Sequence, residues 1–146
     1  MKDEGRRMKD EKDLRLRTKK FARRIIRLYV ALPKNDAVAQ VLGKQALRAG
    51  TSIGANYREA QRARSKLEFV SKIGDCLKEA DETLYWLELL LEENFLPARR
   101  LQPLLNETNE LLAILTAITK RAKGLEWLLS SFTLHPSSFN EIPRRH

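Results

Sequence analysis

The sequence contains very little of what a disulfide framework, a metal centre or a nucleophilic active site requires. Cys76 is the only cysteine among 146 residues, so no intrachain disulfide can form. His135 and His146 are the only histidines, and neither belongs to a Glu-x-x-His pair of the kind that builds a di-iron site. We therefore predict no bound metal and no cofactor. We interpret Cys76 as a small buried side chain.

Long apolar runs, glycine and proline are also scarce. No stretch approaches the ~20 apolar residues that cross a bilayer, and the N-terminus has no apolar core of a signal peptide. We therefore expect a cytoplasmic protein that makes no membrane contact. With only 6 glycines and 5 prolines in the chain, long uninterrupted helices are favoured.

Apolar residues recur at helical spacing in four segments. The first segment runs from Asp13 to Leu32 and ends at Pro33, whereas residues 1–12 are too charged to bury a core and are expected to form a disordered arm. The second segment follows a cap at Asn35 or Asp36 and reaches about residue 63.

The third segment starts at a capping box, Ser65 with Glu68, and reaches about residue 93. The fourth starts near Ala98 or Leu101 and is expected to end at Gly124, with a partly irregular tail over 124–146. The connections are short, so the sequence predicts an all-α fold, an antiparallel up-down-up-down four-helix bundle over residues 13–123.

Each helix shows a predicted buried stripe, which in the first helix comprises Leu14, Phe21, Ile25, Leu28 and Leu32. Three glycines fall inside the second helix, although each costs up to ~1 kcal/mol against alanine there. Because they have no side chain, Gly43, Gly50 and Gly54 are expected to allow close approach of another helix. Its apolar stripe is predicted to comprise Val38, Val41, Leu42, Ala49, Ile53 and Ala60. The third helix carries a stripe that includes Leu77, Leu84, Leu87 and Leu91, and beside it a line of Lys72, Cys76, Glu79, Thr83 and Trp86.

Charge is divided unevenly along the chain. Residues 1–66 hold 19 basic and 7 acidic residues, whereas residues 67–119 hold 4 and 10, within a net charge of +9. This pattern indicates a polyanion partner, self-association between opposite faces, or both. The alternative is that two solvated faces neutralise each other within one bundle.

Two basic clusters are candidates for binding RNA or DNA. No acid occurs between Leu14 and Asn35, so the first helix has a basic face without internal salt bridges, and Tyr57 beside the second cluster could stack on a base. Clustered Lys and Arg neutralise phosphates without regard to sequence. The predicted nucleic-acid-binding residues are Lys19, Lys20, Arg23, Arg24, Arg27, Arg58, Arg62, Arg64 and Lys66.

Glu59 and Glu79 are the remaining candidates for chemistry. They lie on neighbouring helices, where two carboxylates that approach each other could serve as general acid and base. The favoured interpretation is that each carboxylate is paired with a cation such as Lys72 or Arg58. We therefore predict no catalytic residues. Trp86 is expected to point away from the bundle core and to mark an interface.

Four motifs stand out along the chain: L-P-K at 32–34, Q-x-x-R-A-G-T-S-I-G-A-N-Y-x-E-A at 45–60, S-K-x-E-F at 65–69 and L-K-E-A-D-E-T-x-Y-W-L at 77–87. They resemble the "four helix bundle protein" family, also called the 23S rRNA-intervening-sequence protein family. The resemblance covers roughly residues 13–122. It implies an up-and-down bundle that assembles into a homopentamer and has no known catalytic residues.

The resemblance also implies partners. Members are encoded in bacterial ribosomal-RNA intervening sequences, and a related bundle, the accessory protein of diversity-generating retroelements, works with a reverse transcriptase and is thought to bind nucleic acid through a basic surface. Five residues match the family's polar positions, and with Gln45 and Trp86 they are expected to fix helix register or subunit packing. These five are Asn56, Glu59, Lys72, Glu79 and Thr83.

Together these observations predict a non-enzymatic, homo-oligomeric bundle that binds RNA or DNA through a basic surface. The alternative is a protein-interaction scaffold without a nucleic-acid role, whose charges serve contacts with a protein partner or between subunits.

Overall fold

Four helices account for nearly all of the described chain, which in this computed structural model comprises the backbone of residues 2–133 and the side chains of residues 13–124. They are α1 (Lys2–Ala31), α2 (Ala37–Gln61), α3 (Lys66–Glu92) and α4 (Ala98–Thr133). The all-α four-helix prediction is confirmed.

Local signals in the sequence determine the starts of α2 and α3. The Asp36 carboxylate accepts a hydrogen bond from the Ala39 N–H at 3.0 Å, and the Ser65 hydroxyl accepts one from the Glu68 N–H at 3.1 Å. The Glu68 carboxylate in turn accepts from the Arg64 N–H at 3.0 Å. Each bond satisfies a backbone donor that has no partner within its helix.

The ends of the bundle differ from the prediction at two places. α1 begins at Lys2 rather than Asp13, and α4 continues through Gly124 to Thr133. In the sequence, Asp3, Glu11 and Asp13 each precede an arginine by four positions, a spacing that supports a helix. A single glycine costs only ~1 kcal/mol in a helix, and no proline follows Gly124 before residue 136. The predicted irregular tail beyond Thr133 lies outside the described residues.

The helices pack in sequence order, each against the next, and α1 also meets α4 along a thinner edge. α1 and α2 are antiparallel, because Gly43 lies against Leu32 near the end of α1 whereas Gly54 lies against Thr18 nearer its start. α2 and α3 are antiparallel as well, since Glu59 pairs with Lys72 close to their turn and Arg48 pairs with Glu79 farther from it. An up-down-up-down bundle requires these pairings.

The core confirms the predicted stripe of α1 and corrects those of α2 and α3. Leu14, Phe21, Ile25, Leu28 and Leu32 are all buried, as predicted. In α2, however, Val38 and Val41 are 57% and 61% exposed, and the buried face comprises Ala39, Gly43, Ala46, Ala49, Gly50, Ile53, Gly54, Tyr57 and Ala60. α2 lies between α1 and α3, so small residues face the core and let both neighbours approach.

The buried line of α3 is rotated in the same way. Cys76 is buried, as predicted, and Thr83, predicted to flank the core, is fully buried within it, whereas Leu77 and Leu84 are only half-buried. The physical reason is that α3 contacts both α2 and α4, so its half-buried leucines are shared between the core and its margin.

Candidate functional site

The predicted nucleic-acid-binding cations all lie on the surface. Lys19, Lys20, Arg23 and Arg27 are exposed on α1, and Arg24 is half-exposed. Arg62, Arg64 and Lys66 are exposed at the α2–α3 turn, with Arg58 half-exposed beside them. None of these side chains forms an ion pair within the part of the chain whose side chains are described. Their charges are therefore available to a partner.

One end of the bundle concentrates part of this charge. A Cβ added at Gly54 would lie 3.2 Å from the Thr18 Oγ1 atom, so the segment of α1 that precedes Thr18 runs beside the last turns of α2. Arg15, which is exposed and absent from the predicted set, therefore joins the cations of the turn. We call Arg15, Arg58, Arg62, Arg64 and Lys66 the turn-end cluster.

The acids Glu59 and Glu68 near this cluster already accept hydrogen bonds. Glu59 already accepts a hydrogen bond from the Lys72 ammonium at 2.7 Å, and Glu68 accepts the Arg64 N–H in the capping interaction. Tyr57, which the sequence suggested as a stacking platform, is 2% exposed, so its ring belongs to the core and that suggestion is wrong. The cluster can thus attract phosphates, but Tyr57 provides no exposed ring on which a base could stack.

Arg17 is the exception on the basic face of α1. Its Nε atom donates to the Glu107 carboxylate on α4 at 2.6 Å, and a second nitrogen donates to Glu110. The hydrogen bond that Arg17 donates to Glu107, together with the charge of Glu107 and the contribution of Glu110, raises the pKa of the Arg17 guanidinium. This residue therefore joins α1 to α4.

Polar residues along α2 and α3 form a second arrangement. The Arg48 guanidinium pairs with Glu79 at 3.2 Å and with Glu82, and the Lys72 ammonium pairs with Glu59 at 2.7 Å. The hydrogen bonds that Arg48 and Lys72 donate to Glu79 and Glu59, respectively, are the main cause of the raised pKa of each cation. The structure thus brings together Glu59 with Lys72, and Glu79 with Arg48, across the α2/α3 interface.

Sequence reasoning missed Arg48. Residues equally distant from a tight helical turn face each other in an antiparallel hairpin, and Arg48 lies about as far before the α2–α3 turn as Glu79 and Glu82 lie after it. The same count shows that Glu59 and Glu79 are not opposite each other. Each carboxylate pairs with a cation, as in the favoured interpretation: Glu59 with Lys72, as predicted, and Glu79 with Arg48.

Thr83 and Cys76 belong to the buried part of this interface, where they serve packing. The Thr83 hydroxyl donates to the Glu79 carbonyl at 2.7 Å, which satisfies it inside the core. Burial, helped by the charge of Asp75, raises the pKa of the Cys76 thiol to about 12. A thiol of this kind is a packing group, because the reactive form of cysteine is the thiolate.

Trp86 and Tyr85 lie at the outer side of the same interface. Trp86 is half-buried against the core, contrary to the prediction that it points away, whereas Tyr85 is 55% exposed. Their ring centroids are 5.0 Å apart at an interplanar angle of 63°. Gln45 and Arg48 line a shallow groove with both rings, and Asn56 is half-buried farther along α2.

Two further classes of site are absent from the described part of the chain. In residues 2–133, none of the helices has an apolar stretch long enough to cross a membrane. Among the described side chains, no three His, Cys, Asp or Glu residues come together as a metal-ligand group.

Comparisons with known proteins place this architecture in a family. A crystal structure of a protein of unknown function from the S23 ribosomal protein family of Bacteroides thetaiotaomicron shares 42% identity and superposes with a TM-score of 0.68, over 73% of this chain and 97% of that one. A comparison with curated proteins finds no significant match. The family model described as "23S rRNA-intervening sequence protein" matches residues 12–117, so the chain belongs to the 23S rRNA-intervening sequence protein family.

Proposed function

We propose that this protein is a non-enzymatic homo-oligomer that binds RNA or DNA through a basic surface centred on the turn-end cluster. The observation that carries the proposal is the separation of its cations into two groups. Arg17, Arg48 and Lys72 pair with carboxylates across helix interfaces, whereas the turn-end cluster makes no ion pair with a described residue.

Unpaired like charges repel one another, and a polyanion relieves that repulsion. Each phosphate that an Arg or Lys neutralises releases counterions, which favours binding at low salt. Arg58, Arg62 and Arg64 follow one another over less than two helical turns and the adjoining turn, so they match a backbone that presents closely spaced phosphates. Such binding reads charge rather than sequence.

The family name is compatible with a role beside RNA, because it refers to ribosomal-RNA intervening sequences. Homo-oligomerisation, with five subunits as the number that the resemblance implies, belongs to the same proposal and is tested by the mass of the native protein. The competing function is a protein-interaction scaffold, which exposed apolar residues such as Val38, Val41 and Leu67 favour.

The test compares two triple variants that remove the same charge from opposite ends of the bundle. Arg58→Gln/Arg62→Gln/Arg64→Gln alters the turn-end cluster, and Lys34→Gln/Arg99→Gln/Arg100→Gln alters exposed cations at the other end. Binding to a labelled single-stranded RNA and to a DNA of the same sequence is followed by fluorescence anisotropy across a salt series.

We expect the wild type to bind more weakly as salt rises, and the turn-end variant to bind at least tenfold more weakly at low salt. Its plot of log K against log salt should be flatter by about 2, since three phosphate contacts each contribute about 0.7 on a single strand. The matched control should keep most of the affinity. Salt-independent binding, equal losses in both variants, or no binding by the wild type would contradict the proposal, and the last result would favour the scaffold.

A further inference from the structure

α1 carries a second heptad-like seam on the side that faces away from the core. Leu16, Lys19, Arg23, Ile26 and Val30 are spaced by three and four residues, the spacing with which one helix packs along another. The buried seam of α1 uses other positions, among them Phe21 and Ile25. We call these five residues the α1 outer seam.

The α1 outer seam is both apolar and cationic. Leu16, Ile26 and Val30 are 60%, 45% and 65% exposed, and Lys19 and Arg23 lie between them without an ion pair to a described residue. Ile26 and Val30 lie one helical turn apart and Leu16 lies at the other end of the seam, so the face presents apolar surface that another helix can cover. The two cations specify the charge of what covers it.

α3 carries a complementary seam. Asp81, Tyr85, Glu88 and Glu92 follow one another at spacings of four, three and four on its exposed face, and none of the three acids forms an ion pair with a described residue. Tyr85 provides an exposed ring at the centre, braced against Trp86. We call these four residues the α3 outer seam.

The two seams cannot meet within one chain. α1 and α3 make no contact in the described part of the bundle, because each packs against α2 and α4 and they occupy diagonal corners. Their outer faces therefore point to opposite sides of the molecule. A contact between them has to join two molecules.

We propose that the α1 outer seam of one copy docks on the α3 outer seam of a second copy. This inference rests on the homo-oligomer of the proposed function and names its contact surfaces. Lys19 and Arg23 then face the acids of α3, while Ile26 packs against Tyr85. Complementary charge sets the orientation, and burial of the apolar side chains holds the contact.

The contact is heterologous, since two different surfaces of each molecule take part. A heterologous contact repeats from copy to copy and gives a ring when the rotation closes. It also divides the cations of the molecule: Lys19 and Arg23 belong to the subunit contact, and the turn-end cluster stays open to a nucleic acid.

Single substitutions on each seam test the contact. Ile26→Asp alters the α1 outer seam, Tyr85→Asp alters the α3 outer seam, and Val38→Asp is the matched control at an exposed apolar position outside both. All three positions are exposed, so the bundle should fold, and circular dichroism checks the helical content. Mass is measured by light scattering after size exclusion. We expect Ile26→Asp and Tyr85→Asp to fall to the 16.9 kDa monomer and Val38→Asp to keep the wild-type mass.

Mixing the two disrupted variants is the sharper experiment. Ile26→Asp retains an intact α3 seam and Tyr85→Asp an intact α1 seam, so together they should form a 1:1 heterodimer and nothing larger. The inference is overturned if either single variant keeps the wild-type mass, or if the mixture stays monomeric. A monomeric wild type would overturn the proposed homo-oligomer as well. If Ile26→Asp still assembles, only the seam contact is rejected, and the proposed function is unaffected.

Discussion

The α1/α2 and α2/α3 interfaces both join antiparallel neighbours, but they do so by different means. On the α1 side of α2, Gly50 and Gly54 leave room for Ile25 and Thr18 to come close to the α2 backbone. On the α3 side, Arg48 pairs with carboxylates at the margin of a well-packed core. α2 therefore contacts α1 closely through glycines, and it pairs with α3 through a charged side chain.

The difference teaches how register is specified at each interface. The close approach fixes the register of α1 against α2 sterically, because a shift along α2 would drive β-branched or aromatic side chains of α1 into the α2 backbone. Ion pairs at the margin favour one register of α3 at a modest gain in stability, because exposed pairs contribute about 0.2–1 kcal/mol each. Substitutions at the α1/α2 interface should accordingly have the larger effects.

The largest effect is expected from filling the close approach of α1 to α2 at Gly50. A Cβ at Gly50 would lie 2.8 Å from Ile25 Cγ1 and 3.1 Å from Cγ2, and the branched, buried Ile25 cannot turn away. Overpacking of this kind costs about 1–3 kcal/mol, against a helix gain of up to ~1 kcal/mol for alanine. Gly50→Ala should therefore lower the free energy of unfolding in urea.

Gly74→Ala is the matched control for Gly50→Ala. Nothing lies within 4 Å of a Cβ at Gly74, which is exposed on α3, so alanine there should raise the free energy of unfolding by up to ~1 kcal/mol. If both variants were equally stabilised, the close contact between α1 and α2 would not be what fixes that interface.

A second prediction concerns pH and the buried part of α3. The pKa of the Cys76 thiol is raised from 9.0 to about 12, so the unfolded chain loses its thiol proton at a lower pH than the folded one. Stability from this group is thus fully present below pH 9 and is lost as pH rises toward 12. Between about pH 8 and 10 the wild type should lose about 1.4 kcal/mol more than Cys76→Ala.

Urea unfolding at the two pH values measures this difference directly. Comparison with Cys76→Ala removes the contributions of lysines and tyrosines, which titrate in both proteins. Parallel losses in the two proteins would show that the thiol is ionised as easily in the fold as in the unfolded chain, and that the α3 core is more open than described.

A smaller effect is expected from the ion pair across the α2/α3 interface. Arg48→Met, Glu79→Gln and their combination form a double-mutant cycle, which should give a coupling of about 0.5–1 kcal/mol at low salt. The same cycle with Arg48 and Glu88, which form no ion pair, is the control and should be additive. A coupling near zero for Arg48 and Glu79 would assign the register of α3 to apolar packing alone.

The smallest effect should come from Lys72 and Glu59. This pair is close, at 2.7 Å, but lies near the turn, where Glu59 is mostly exposed and solvent screens the charges. Its coupling in the cycle of Lys72→Met and Glu59→Gln should be weaker than that of Arg48 with Glu79, and should vanish in high salt. A coupling as large as that of Arg48 would remove the distinction between the buried margin and the turn.

Much of the architecture could be predicted from neighbouring residues alone. The caps at Asp36 and Ser65 and the buried stripe of α1 are in the structure as predicted, because each depends on side chains within about one helical turn of the same segment. The candidate basic residues were found in the same way, since charge on an exposed helix face follows from composition and spacing.

The choice of partners was decided only by the tertiary structure. Which cation holds Glu79, how far Val38 turns away from the core and where Trp86 rests all depend on the rotation of α2 and α3 about their axes and on the register of their hairpin. That rotation is the sum of many small contacts between segments far apart in the chain. The sequence by itself thus determined four helices and their charge, whereas packing decided which charges are paired and which stay open to a partner.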